Sequence, residues 1–113
     1  MNLNYALIGT RIRLYREIKG LSQEEIADRV HVTERHIRSI ETGTKGASLS
    51  LMIELANVLE TTVDELLRDY LTDEKATLKF EMFDILNGST PIEQAILLDM
   101  LKHMKALLSE HGI

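Results

Sequence analysis

Residues 23–43, QEEIADRVHVTERHIRSIETG, decide how this chain is read. Ile26 and Val30 stand one turn apart on the inner face of a helix, Val32 occupies the turn after it, and Ile37 and Ile40 form the inner face of a second helix. Ala27 falls where two such helices, crossing near a right angle, come closest, so a small side chain is required there. Ser22 with Glu25 three residues on makes a capping-box pattern for the first helix. Thr33 caps the second, with His36 at the box position, and Gly43 closes it. The caps set the length of the turn independently of the apolar pattern, and both agree on one arrangement.

Outward from this pair the chain reads as helix throughout, with breakers at short intervals and no period-2 strand. A first helix spans about 6–18, with Leu7, Ile8, Ile12, Leu14, Tyr15 and Ile18 near the helical period, and Gly20 stops it. Ser48 or Ser50 begins a fourth helix through Leu51, Leu55 and Leu59, and a short fifth covers 63–67. Residues 74–87 form an amphipathic helix with Leu78, Met82, Ile85 and Leu86 on one stripe, flanked by Phe80 and Phe83. Asn87-Gly88-Ser89 breaks it, and Thr90-Pro91-Ile92-Glu93 starts another: a capping hydroxyl, Pro at the first helical position and a box Glu. The fold expected is all-α, a five-helix domain over 1–68 followed by a C-terminal helical hairpin over 69–113, with 69–73 as hinge.

Composition narrows the chemistry. With 113 residues, 44% of them hydrophobic, the chain can bury a core, although marginally at this size. There is no cysteine, which removes disulfides, thiolate catalysis and Cys-based zinc sites. The N-terminal MNLNYALIGTRIR lacks the apolar run of a signal peptide, and no run reaches the roughly 18–20 apolar residues that cross a bilayer. A soluble, cytoplasmic protein with no membrane partner is expected. The net charge of −5 hides an asymmetry: residues 1–45 carry eight basic against six acidic groups, the remainder five against twelve. The front is weakly basic and the rear acidic.

No catalytic set emerges, and the chain is read as a non-enzyme without a cofactor. Glu24 and Glu25 are adjacent on a helix and point in different directions. Ser22, Ser39 and Ser48 lack a His/Asp pattern for nucleophilic work. His31, His36, His103 and His111 are scattered, without the matched ligands a metal needs.

Residues 8–67 resemble the Xre/Cro and phage-repressor-like family of helix-turn-helix domains, through IGTRIRLYREIKGLSQEEIA, VTERHIRSIETG and LSLMIELANVLETTVDELL. Thr42-Gly43 fits the family pattern. His31 stands where the family usually has Gly, and a left-handed backbone there would cost an L-residue roughly 1–2 kcal/mol. Ala47 or Ser48 replaces a Pro frequent in the family. The resemblance implies a compact five-helix domain that docks its third helix in the major groove of double-stranded DNA. It implies a sequence-specific transcriptional regulator, most often a repressor, acting as a homodimer on a dyad-symmetric operator.

Docked so, the third helix projects Glu34, Arg35 and His36 toward base edges, with Arg38 and Ser39 about one turn further. Arg35 offers guanine O6 and N7 two donors, a contact worth roughly 1–3 kcal/mol of discrimination. Glu34 can accept from cytosine N4 or serve only as a first-turn carboxylate favoured by the helix dipole. Arg38 reads a base or holds a phosphate. Gln23, at a helix start, is expected on a phosphate, as are Thr44, Lys45 and Ser50 after the recognition helix, and Arg11 and Arg13 from the side. The resemblance also implies a structural ion pair between Arg16 and Glu41. The C-terminal helices have two readings: a clasp on the head, or a dimer interface of Ile92, Ile96, Leu97, Met100, Leu101, Met104 and Leu108. The width of the apolar stripe favours the interface. The rival functions are an antitoxin whose tail takes a partner protein, and an interaction module that has lost DNA readout.

Overall fold

A computed structural model describes residues 3–71 and 74–112. Its helices are α1 (Tyr5–Ile18), α2 (Gln23–Arg29), α3 (Glu34–Thr42), α4 (Leu49–Val58), α5 (Val63–Leu66), α6 (Glu74–Asn87) and α7 (Pro91–Glu110), with a 3₁₀ turn at Arg68–Tyr70. The described residues contain no strand, so the chain is all-α as expected. No described helix is long and apolar enough to cross a membrane. Two compact units divide between residues 71 and 72. Asp69 and Tyr70, placed in a hinge by the sequence reading, lie inside the first unit: Arg11 grips Asp69, and the Tyr70 hydroxyl donates to the Asn4 carbonyl.

Caps set the boundaries of the first unit. Asn4 Oδ1 accepts from the Ala6 amide and starts α1 one residue before the sequence suggests. Ser22 and Glu25 form the reciprocal capping box of α2, Thr33 Oγ1 accepts from the His36 amide, and Ser48 rather than Ser50 caps α4. The exits matter as much. After α2, the Val32 amide reaches back to the Ala27 carbonyl at 3.0 Å and the His31 amide to Asp28 at 3.4 Å, the double bond of a Schellman turn. That turn forces a left-handed residue, and His31 has φ +57°. The same geometry follows α4, where the Thr61 amide bonds the Ala56 carbonyl and Glu60 sits at φ +55°. Glycine takes the left-handed position at the exits of α1 and α3, Gly20 at φ +69° and Gly43 at φ +80°.

The core of this unit is aliphatic. Ile12, Ile26, Ile37, Leu55 and Leu66 are wholly excluded from solvent, and Ala27 and Val30 are buried beside them, while Val32 is half-buried. Burying such side chains contributes about 1.5–3 kcal/mol each. α1 crosses α3 at Gly9, where an added Cβ would lie 2.3 Å from the Ile40 carbonyl oxygen and 2.4 Å from that of Glu41. No other residue permits that approach. Leu7, Leu14 and Ile18 of α1, expected among its apolar positions, are exposed.

In the second unit, Thr90 and Glu93 form a capping box with Pro91 at the start of α7. Gln94 Nε2 donates to the Leu86 carbonyl at 2.8 Å, tying the first turn of α7 to the end of α6. Every described residue of α7 is exposed.

The left-handed turn at His31 predicts that His31→Gly raises stability by about 0.5–1 kcal/mol, the relief of strain less the added freedom of the unfolded chain. A β-branched residue, His31→Val, should lower it. Urea midpoints of the three proteins test this; identical midpoints would contradict the strain.

Candidate nucleic-acid interface

α3 divides cleanly. Ile37, Ile40 and Glu41 are buried, while Glu34, Arg35, Arg38 and Thr42 are exposed along the opposite face with half-buried Ser39 at its edge. Arg35 has no partner among the described residues. Arg38 Nη2 donates to Glu34 Oε1 at 3.2 Å, one turn apart. Such an exposed pair is worth a few tenths of a kcal/mol, so it preorganises both groups without locking them. His36 is half-buried, and its amide donates to Thr33 Oγ1.

The buried carboxylate of Glu41 anchors this helix. Arg16 grips it in a fork, Nε to Oε2 at 2.7 Å and Nη2 to Oε1 at 3.0 Å, and Arg16 Nη1 donates to the Leu21 carbonyl at 2.9 Å. The ion pair between Arg16 and Glu41 is therefore present, and the carboxylate raises the Arg16 pKa further. Gln23 Nε2 also donates to Glu41 Oε1, at 3.1 Å. A side-chain amide carries two N–H donors, so one remains to Gln23 for an external acceptor. α1, α2 and α3 thus meet at one carboxylate, and the first residue of α2 is oriented by it.

The segment after α3 is braced from α1. Gly43 leaves no room for a Cβ beside the Ala6 backbone, and an added Cβ at Gly46 would lie 2.7 Å from the Tyr5 ring. The Lys45 amide bonds the Ser39 carbonyl at 3.2 Å, and the hydroxyls of Thr42 and Thr44 lie 3.0 Å apart. The Lys45 ammonium is exposed and has no partner among the described residues. Ser50 lies 3.3 Å from the capping hydroxyl of Ser48.

The two flanking arginines differ. Arg13 is exposed and pairs loosely with Glu17 at 2.9 Å, an exchangeable surface contact. Arg11 is not available in this way, which corrects its expected role at the DNA backbone. It forks onto Asp69, Nε to Oδ2 at 2.8 Å and Nη2 to Oδ1 at 3.1 Å, and reaches Glu65 at 3.4 Å. Glu65 is itself buried, with its Oε1 accepting from the Tyr15 hydroxyl at 2.7 Å and from Arg68 at 3.3 Å. Burial and this acceptor push the Tyr15 pKa up to about 12. Arg11 holds the Asp69 carboxyl below its usual range, so its contribution is complete at neutral pH and is lost as pH falls through the folded-state value.

The Helix-turn-helix family profile matches residues 12–66. Control protein C.SmaI of Serratia marcescens is 36% identical over 61 residues, which are 54% of this chain and 73% of that protein. The chain belongs to the helix-turn-helix family. Among solved structures, the restriction-modification controller C.AhdI of Aeromonas hydrophila superposes with a TM-score of 0.53 at 32% identity, over 55% of this chain and 94% of that one. SinR, described as a master regulator for biofilm formation and solved in complex with DNA, gives 0.51 at 34% identity, over 53% and 97%. A SinR/SinI protein complex gives 0.53 at 27% identity, over 88% of this chain and 98% of that one. The family is one of regulators and not of enzymes.

The sequence reading missed the Glu65 centre altogether, because two of its three partners, Tyr15 and Arg11, lie 50 and 54 residues away on α1. Gly9 carried a signal, a glycine inside an otherwise helical pattern, which marks a close backbone approach.

Arg16→Met would leave the Glu41 charge buried without its partner and should cost roughly 3–5 kcal/mol of stability. Adding Glu41→Leu should restore most of it. Denaturation of the single and double variants measures both, and equal losses in the two would contradict the pairing.

Proposed function

We propose that this protein is a sequence-specific double-stranded DNA-binding transcriptional regulator, a repressor acting as a homodimer on a dyad-symmetric operator. The observation that carries the reading is the exposed face of α3, with Arg35, unpartnered among the described residues, at its start, together with the oriented amide of Gln23 and the exposed Lys45. Arg35, Glu34, Arg38 and Ser39 read base edges, and His36 contributes from the rim of that face. Gln23, Arg13, Thr44, Lys45 and Ser50 hold phosphates. SinR, solved in complex with DNA, supports DNA as the partner.

The weakly basic front supports modest affinity for one domain, so tight binding needs two, joined through Ile92, Ile96, Leu97, Met100, Leu101, Met104 and Leu108 of α7. All seven are exposed. Half-sites then lie about 34–36 Å apart or at a multiple of that spacing. A second reading, in which the C-terminal unit takes a different protein, is favoured by the SinR/SinI complex, whose likeness extends over 88% of this chain.

Selection of bound sequences from a random duplex library tests the reading. The expected outcome is a two-fold symmetric site; recovery of no consensus would overturn it. On that site, Arg35→Ala should cost roughly 1–3 kcal/mol and relax choice at one base pair per half-site. Lys45→Ala should weaken all sites alike and lower the salt slope by about one per domain. Titrations of matched and mismatched duplexes at several salt concentrations separate the two effects.

A further inference from the structure

A half-open cavity of about 260 Å³ lies within the first unit, lined from α1, α3, α4, α5 and the segment after α3. Ile8, Ile40 and Met52 are its buried members, while Leu3, Tyr5 and Leu49 are 41%, 42% and 72% exposed. Lys45 is the one charged side chain among the described residues that line it. Its neighbours hold that cation in place. The Gly46 backbone passes so close to the Tyr5 ring that an added Cβ would lie 2.7 Å from it, and the Lys45 amide is tied to the Ser39 carbonyl. The Lys45 ammonium has no partner among the described residues. A lysine stem lies readily along apolar surface while its charge stays at the wet edge.

We infer that this cavity binds a small monocarboxylate with an aliphatic body, the body against the apolar lining and the carboxylate on Lys45. The lining selects the class. It offers no second cation, so a diacid or a nucleotide phosphate chain would keep uncompensated charge against apolar walls. Polar groups along the body would likewise be buried without partners. The volume lies just below the roughly 300–1,000 Å³ of ordinary small-molecule sites, which suits a short body. The site also touches the proposed DNA contact, because Lys45 is assigned to a phosphate above. One ammonium neutralising a carboxylate has less to offer a phosphate, so ligand and DNA weaken each other by the same factor. That coupling rests on the phosphate role of Lys45; the site itself does not.

Calorimetric titration of the full chain with octanoate, in the absence of DNA, tests the site. Octanoate should saturate at one per chain and bind at least tenfold tighter than butyrate, since each fully buried methylene is worth about fourfold. It should also bind at least tenfold tighter than octanol. Lys45→Met should erase that second preference, with helicity retained by circular dichroism. Ala47→Leu, which fills the cavity and leaves Lys45 in place, should block octanoate. Equal affinity for octanoate and octanol in the unaltered chain, or no dependence on chain length, would overturn the site. So would a change of sedimenting mass, rather than of octanoate binding, in Ala47→Leu, which assigns the surface to a second copy. Saturating octanoate should then weaken binding to a selected duplex and lower its salt slope by about one per domain, as expected of Lys45→Ala. If octanoate binds and duplex affinity is unchanged, the coupling is wrong; if no duplex is bound in its absence, the DNA reading fails instead.

Discussion

A carboxylate taken out of water must be paired, and in this protein the pairing of Glu41 determines where three helices stand. Its two oxygens accept from Arg16 on α1 and Gln23 on α2, while its own backbone lies in α3. The fork geometry fixes direction as well as distance, since a guanidinium meets a carboxylate edge to edge. Apolar packing of Ile26, Ile37 and Ile40 supplies most of the cohesion but would tolerate sliding. The ion pair does not. It therefore sets the register in which the exposed face of α3 and the start of α2 are presented together.

A second buried carboxylate, Glu65, serves the far side of the same unit. Tyr15, Arg11 and Arg68 converge on one of its oxygens, joining α1 to α5 and the turn beyond it. The two centres divide two arginines of α1 between them: Arg16 grips α3 through Glu41, and Arg11 grips the end of the unit through Glu65 and Asp69. Arg13, between them in sequence, has only a loose surface partner. Three cations on one helix thus have three different degrees of freedom.

Much of this was legible in the residues. The apolar spacing and caps of 22–43 placed α2 and α3 to within a residue, because those signals are local and each is satisfied inside one or two turns. Left-handed His31 was legible as a conditional cost, and the structure carries it. Glu60 was not, since nothing near it marks a Schellman turn until the Ala56 carbonyl is seen to need a partner. Arg11 misled for a similar reason. A cation whose partners lie 54 and 58 residues away reads as free, because sequence spacing reveals helix neighbours and conceals tertiary ones. His36, read in the outward first turn of α3, is half-buried where Glu34 and Arg35 beside it are exposed.

The bond from Tyr70 to the Asn4 carbonyl has one more consequence. It brings the beginning and the end of the first unit to the same place, so the polypeptide enters and leaves this module through a single doorway. Modules built this way are readily moved between proteins, spliced into a host loop or reopened elsewhere along the chain, because their fold does not depend on what is attached at that doorway.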